Sequence, residues 1–378
     1  MKQFFKSMFM TLMLGLPLIL IVFIWLSFRQ KAASMPLFQK EPVSIADLMK
    51  KDDAAFETSE ESITPIEDTK SAVTLSFAGD VHFSELVLNN YDKSGISSLV
   101  DDTLLSHMTN ADLFMLNHEF VFSNRGEAME DKTYTLRNDP EYVKILQELG
   151  TDLVTIANNH VLDFGREAFL DTLDTLEDAQ IPYVGGGRDY GEASSPVIKT
   201  IGDQTFAFLS ATRVSPSADW YAGKNHPGVF QTYDSAALNK AIEEVESKVD
   251  HTIVYVHWGI ERNELPEDYQ RSLAKGYIDA GADLVIGAHP HVLQGFEYYK
   301  GVPIVYSLGN YLFGNRSDET VLLNATFETD GSLTLQMIPC KRSNGTLKVL
   351  ENPEKLFNHL TDISFGASVT HSGTLIVN

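Results

Sequence analysis

Two hydrophobic periodicities alternate along the chain from about residue 72 onward. Short runs rich in Val, Ile, Leu and Phe, at 73–78, 112–116, 152–156, 205–209, 252–256, 283–286 and 303–306, have the length and composition of buried strands. Between them, apolar residues recur every three or four positions over 140–149, 165–179, 234–248 and 266–280, which predicts helices with one buried face. Such alternation predicts an α/β domain whose helices pack outside its sheets. Further on, two apolar runs at 321–327 and 332–338 flank Asp330-Gly331, a dipeptide suited to a tight turn, and predict a hairpin. The last stretch, 350–378, predicts a short helix and a terminal strand. No internal repeat or low-complexity block interrupts the pattern.

The N-terminus reads differently. Lys2 and Lys6 precede an uncharged apolar run from 8 to 28, and Arg29 and Lys31 close it. A helix of about 20 apolar residues spans a bilayer, and Pro17 is tolerable inside one. A cleaved signal peptide is the rival reading, with Ala32-Ala33-Ser34 as its cleavage site, but its apolar core is usually only about 7–15 residues. Positive flanks on both sides leave the orientation undetermined by charge. Because most of the chain follows the span, an N-in, C-out anchor is the simpler topology. The predicted organisation is a cytoplasmic tail (1–7), a transmembrane signal-anchor (8–28), an acidic linker (29–71), a main domain (72–345) and a C-terminal extension (346–378). The linker carries Asp52, Asp53, Glu57, Glu60, Glu61, Glu67 and Asp68 with little apolar periodicity, as expected of a solvated spacer. The expected location is the cell membrane, single-pass, with the main domain extracytoplasmic.

Charge narrows the function. The formal net charge of −23 excludes a nucleic-acid binder, which carries a basic stripe. It also opposes an anionic polymer unless cations or a local basic patch intervene. Cys340 is the single cysteine, so no intramolecular disulfide forms and no thiolate zinc cluster is available.

Five of the strand-like runs end in polar clusters: Phe-Ala-Gly-Asp-Val-His (77–82), Met-Leu-Asn-His-Glu (115–119), Ala-Asn-Asn-His-Val-Leu-Asp-Phe-Gly (157–165), Tyr-Val-His-Trp-Gly-Ile-Glu (255–261) and Gly-Ala-His-Pro-His (287–291). Taken singly, each has a bland reading. Asp80 could cap a strand end, Asn159 could cap the helix at 165–179, and His257 could be a satisfied core histidine. Together they place carboxylate, imidazole and amide donors at the carboxyl ends of strands, where open α/β sheets gather their ligands. Imidazole suits zinc, iron and manganese, and carboxylate oxygen suits manganese and harder ions. Consecutive residues on a strand point opposite ways, so only one of His118 and Glu119 faces such a site.

Asp-x-His, an acidic residue after the second strand, Asn-His, a lone His and a closing His-x-His occur in the order seen in calcineurin-like metallophosphoesterases. More specifically, Ala-Asn-Asn-His-x-x-Asp-x-Gly, His-Trp-Gly-x-Glu, Gly-Ala-His-Pro-His and Tyr-Ser-Leu-Gly-Asn (306–310) resemble the bacterial CapA family of capsule-synthesis proteins, which includes the PgsA proteins of poly-γ-glutamate production. The resemblance covers roughly 72–340. It implies a metallophosphoesterase-like layered α/β fold and two divalent metal ions (Mn, Fe or Zn). Asp80, His82, Glu119 and His291 would hold one ion. Glu119, Asn159, His257 and His289 would hold the other, with Glu119 bridging where the phosphoesterases place Asp. His160 would donate a proton, oriented by Asp163. The chain departs from the phosphoesterase pattern in lacking Gly-Asp-x-x-Asp, while His82 follows it.

Four further residues complete the expectation. Arg137 pairs with a substrate carboxylate or phosphate, or else lies in a surface salt bridge. Glu261 buttresses the ligands or touches substrate. His118 stands behind the ligands or is structural, and Asn310 buttresses the site. Gly185-Gly186-Gly187 lacks phosphate-loop spacing and reads as a turn. The function implied is a membrane-anchored, metal-dependent hydrolase or transferase acting on a phosphoester-like or polymer bond in capsule or poly-γ-glutamate synthesis or export. The alternative is a non-catalytic accessory subunit of a polymer synthase that binds or guides the polymer.

Overall fold

In β1 (Val73–His82), Val73, Leu75 and Phe77 alternate with residues of the opposite face, and all three are buried. The same alternation runs through β2 (Leu113–His118), β3 (Leu153–Thr155) and β4 (Tyr183–Val184), and it explains why this sheet is covered on both sides. The computed structural model describes residues 71–314 and 316–378. The predicted tail, the 8–28 span and the linker up to residue 70 lie outside them. Among the described residues, no helix is long and apolar enough to cross a membrane.

Two mixed sheets form the centre. A second group of strands follows in the chain: β5 (Val197–Ile201), β6 (Gln204–Thr212), β7 (His251–His257), β8 (Leu284–Ala288), β9 (Leu293–Tyr299) and β10 (Val302–Leu308). The C-terminal strands are β11 (Asn310–Phe313), β12 (Asp318–Phe327), β13 (Leu333–Ser343) and β14 (Thr346–Val349). The first sheet has the order β14-β13-β12-β1-β2-β3-β4, with β11 also paired to β1; the second has the order β9-β10-β8-β7-β6-β5. β1, β2, β3 and β4 run parallel, as do β6, β7, β8 and β10.

The sheets face each other across one core. Leu75, Phe77 and Met115 of the first sheet pack with Phe208, Ile253, Tyr255 and Ile286 of the second. Burying each such side chain contributes about 1.5–3 kcal/mol. Helices α1 (Glu85–Ser94), α2 (Asp102–Thr109), α3 (Val143–Glu148) and α4 (Gly165–Asp178) cover the outer face of the first sheet. Helices α5 (Ala236–Glu246) and α6 (Asp268–Asp279) cover that of the second. In α4, Ala168, Phe169, Thr172, Leu173 and Leu176 are buried at helical spacing. The result is a layered α/β fold with helices outside both sheets.

Residues after 345 are built into the same body. β14 pairs with β13, and Leu356, Phe357 and Leu360 of α7 (Glu354–Asp362) enter the core between the sheets. Cys340 of β13 is fully buried on the opposite, helix-covered face of the first sheet. The predicted hairpin is β12–β13, longer than its apolar runs, with Gly331 in the left-handed region at φ 83°.

Candidate metal centre

A kink in β1 starts the site. Between Phe77 and Asp80 the register against β2 slips, and Gly79 lies under the Gly309 carbonyl. A Cβ on Gly79 would stand 1.9 Å from that oxygen, so only glycine fits. The Asp80 amide then donates to Gly309 O at 2.9 Å. This aligns Asp80 with Asn117 on β2 and with Asn310 on β11.

The donors converge from the carboxyl ends of parallel strands in both sheets. β1 supplies Asp80, β2 leads into Glu119, and the turn after β3 supplies Asn159. β7 ends in His257, and the turn after β8 carries His289 and His291. All six are buried. Asp80 Oδ1 accepts from Asn117 Nδ2 at 2.7 Å, and Asp80 Oδ2 lies 3.2 Å from His291 Nδ1. Asn159 Oδ1 is 2.8 Å from His257 Nε2. Glu119 Oε1 is 3.5 Å from His257 Nε2 and 3.8 Å from His291 Nε2.

Two sets of donor atoms result. One atom each from Asp80, Glu119 and His257 lie within 4.8 Å of one another, and so do atoms from Glu119, His289 and His291. Glu119 belongs to both sets, the place expected of a bridge. The pairing differs from the implied division: Asp80 groups with His257, and His289 with His291.

The electrostatics suit a cation. Burial pushes the Glu119 carboxyl well above its usual range, and the neighbouring Asp80 charge pushes it further. Burial holds His257 well below the ordinary histidine value and His289 down to about 3, helped by the neighbouring imidazoles. His291 is the exception. Burial lowers it, but its contact with Asp80 more than compensates and leaves it raised, while Asp80 itself is held low by that same partner against its own burial. Neutral imidazole is the metal-binding form. Glu119 Oε1 and His289 Nδ1 are buried without a hydrogen-bond partner among the described residues. Such groups cost about 1–3 kcal/mol each when left unsatisfied. The donor set therefore fits one or more divalent cations.

The backbone supports the same reading. His289 and His291 flank Pro290 at φ 96° and 56°. Non-glycine residues held there cost about 1–3 kcal/mol each, a strain that clusters at functional sites.

Behind the donors, Asn158 and Asn117 form a frame. Asn158 Nδ2 donates to Asn117 Oδ1 at 3.0 Å and to His118 O at 2.8 Å, and Asn158 Oδ1 accepts from the His160 amide at 3.0 Å. His160 Nδ1 lies 2.7 Å from Asp163 Oδ2. The other Asp163 oxygen accepts from Lys132 Nζ at 2.5 Å, and Leu136 N donates to Asp163 Oδ2 at 2.7 Å. Lys132 also bonds the Asn159 carbonyl. Burial pulls the Lys132 ammonium down against the raising charge of Asp163. Asn159 is not a helix cap: α4 begins at Gly165 behind Phe164, and the Asn159 side chain faces His257.

The remaining expected residues take varied places. The His82 ring lies edge-on to Phe120 and Phe313 and outside both donor sets. His118 points to the other face of β2, where it packs on Phe120 and Phe122, and burial drives it to about 3. Asn310 Oδ1 is 2.9 Å from His291 Nδ1, and Asn310 Nδ2 donates to His291 O at 3.3 Å. Glu261 lines a cavity of about 320 Å³ that His160, His291 and Asn310 also line. Arg137 is exposed. It stacks over Phe164 at 4.0 Å and makes long contacts to the carbonyls of Arg125 and Gly126. Gly186-Gly187 pairs with Gly228-Val229 as a two-residue ladder after Gly185 at φ 85°.

Asn117, Asn158 and Lys132 were missed by sequence reasoning. Asn117 lies two positions before Glu119, so the two-residue strand period already places both on one face. Lys132 sits in a loop with no periodic signal.

Residues 74–315 match the family described as bacterial capsule synthesis protein PGA_cap. The chain is 29% identical over 325 residues to the capsule biosynthesis protein CapA of Bacillus anthracis, spanning 81% of this chain and 78% of that protein. It is 29% identical over 280 residues to the PGA biosynthesis protein CapA of Bacillus subtilis, spanning 71% of each. A crystal structure of a novel phosphatase from Mycoplasma pneumoniae superposes with a TM-score of 0.48 at 11% identity, over 72% of this chain and 95% of that one.

Proposed function

The chain belongs to the PGA_cap family of bacterial capsule synthesis proteins, and from that premise we propose that it is a metal-dependent hydrolase or transferase of capsule or poly-γ-glutamate synthesis. In this reading it is anchored in the cell membrane by residues 8–28, with the folded domain outside the cytoplasm. It works beside the subunits that make or export the polymer.

The observation that carries the proposal is Glu119. It is buried, and its carboxylate belongs to two donor sets, Asp80–Glu119–His257 and Glu119–His289–His291. Asn159 Oδ1 meets His257 Nε2 beside them. Two divalent ions held by these residues would lower the pKa of bound water and polarise the bond attacked.

The chain's own contribution is then proton handling and the positioning of the donors. His160 lines the cavity, and its Nδ1–H is held by Asp163, so Nε2 is the nitrogen left for the leaving atom, and it gives a proton there from the imidazolium form of the ring. Asp163 orients the ring and favours its imidazolium form against the opposing effect of burial, and Lys132 shares the same carboxylate. The frame of Asn117 and Asn158 holds β2 and the turn after β3 in register, so Asp80, Asn159 and His160 keep their places.

The test uses the full chain in detergent, stripped of metal by chelation. Manganese titration with elemental analysis gives the number of ions bound, and turnover is followed on a phosphomonoester, a phosphodiester and oligo-γ-glutamate. Two ions per chain with manganese-dependent cleavage of one of these is the expected result. Failure to bind manganese, iron or zinc would sink the proposal. Metal binding with no turnover would remove the catalytic half and leave a polymer-holding role.

A further inference from the structure

The cavity beside the donor cluster carries a charge opposite to that of the protein. The chain has a net charge of −23, yet Arg262, Arg316 and Arg342 all line this one space of about 320 Å³, with Glu261 as the single acidic residue of its lining among the described residues. His160 and His291 form the wall shared with the cluster.

Arg342 is the base of this arrangement. It is only 2% exposed. One terminal nitrogen bonds Asp318 Oδ2 at 2.6 Å, but its Nε is buried with no hydrogen-bond partner among the described residues. Its Nη1 faces the Gly314 turn that also lines the cavity. Asp318 answers part of the Arg342 charge, but the unbonded Nε and the two further guanidinium groups lining the same space leave positive charge that a second anion would offset.

Arg262 comes from the loop after β7. It adopts φ 66°, and its amide donates to the Pro290 carbonyl at 2.8 Å. That hydrogen bond ties the arginine to the His289–His291 turn. The strained backbone thus holds a cation against the loop that carries two of the donors.

We propose that this cavity is a receptor for an oxyanion of the substrate, a carboxylate or a phosphate, gripped by Arg262, Arg316 and Arg342. Guanidinium forks match both groups in shape and charge. The proposal deepens the function given above and rests on it for the role of His160 and His291. It also resolves how so acidic a protein accepts an anionic chain: the lining turns positive here, beside the donors. Glu261 moderates the field and favours release.

The experiment uses the full chain in detergent, metal-free, titrated with inorganic phosphate and separately with glutarate by calorimetry at low salt. Wild type is expected to bind at least one probe. Arg262→Gln and Arg316→Gln are each expected to weaken it about tenfold, the effect of one lost charge-assisted bond. Glu261→Gln should tighten it. Because Arg342 is buried and its replacement threatens folding, the exposed pair carries the test. Phosphate binding alone identifies an ester-like substrate, and glutarate binding alone a carboxylate polymer. No binding of either probe to wild type overturns the proposal, as does unchanged binding in both arginine variants. Metal stoichiometry, measured on the same samples, separates the two ideas. Arginine-dependent anion binding in a chain that takes up no metal would end the metal proposal and leave this one standing.

Discussion

Asn117 Nδ2 lies 2.7 Å from Asp80 Oδ1, and the two residues are directly paired across β1 and β2. The same amide nitrogen is 3.3 Å from His257 Nδ1, and the amide oxygen accepts from Asn158. One side chain therefore links a carboxylate of the first sheet to an imidazole of the second. Asn117→Leu keeps the approximate volume and removes every one of these bonds. Loss of about 1–3 kcal/mol of stability is expected, because Asn158 Nδ2 then loses a buried acceptor. Metal affinity should fall about 10–100-fold, as it does when an outer hydrogen-bond partner is removed. Urea unfolding and manganese titration measure the two effects. Unchanged values in both would show that Asn117 is only filling space.

Much of this was legible in the chain. The strand runs ending at Asp80, Glu119, His257 and His289 could be read because fully buried strands are short and uniformly apolar, so a polar cluster marks each end. Helices α1 and α2 were not read. They have 10 and 8 residues, and each buries only two, so their periodicity is too brief to register. Their caps were the better signal: Ser84 accepts from Val87 N and Asp101 from Leu104 N. Lys132 was illegible for another reason. It reaches Asp163 across 31 residues, and only the folded chain brings a loop lysine to that carboxylate.

Glu119→Gln separates the cost of the site from its use. In the metal-free protein Glu119 is a buried carboxyl whose pKa is raised well above normal, next to Asp80. A neutral amide of the same shape should leave the metal-free melting temperature unchanged or raise it slightly. With manganese the order reverses. A ligand that binds only the folded state stabilises by about 2.7 kcal/mol at a hundredfold excess over Kd. That gain should shrink or vanish in the variant. Thermal unfolding with and without manganese makes the comparison. A metal-induced shift equal to wild type would remove Glu119 from the donor set.

Asp163→Asn targets the proton donor without touching the donors of either set. The carboxamide could no longer stabilise the imidazolium of His160 or neutralise Lys132, which lies 3.0 Å from His160 Nδ1. Turnover should fall at least about 100-fold, the usual worth of a positioned acid or base. Metal stoichiometry should stay at the wild-type value. If turnover and metal content fell together, Asp163 would be holding the fold of the turn rather than the proton.

The last prediction concerns acid stability far from the donors. Glu297 on β9 bonds Arg271 Nε and Lys275 Nζ of α6, each at 2.8 Å, and Tyr306 Oη of β10 at 2.8 Å. Burial raises its carboxyl, but these donors together pull it from the usual 4.5 down to about 2. A folded-state value below the unfolded one adds stability that is fully present above pH 4.5 and lost as pH falls toward 2. Glu297→Gln should therefore be less stable than wild type at neutral pH, by about 1 kcal/mol for a partly exposed charge-assisted cluster. The two proteins should converge between pH 4.5 and 2, since protonation removes from wild type what the substitution removes outright. Urea midpoints measured across that interval give the difference directly. A gap that stayed constant with pH would mean that Glu297 acts through packing of α6 on the second sheet and not through its charge.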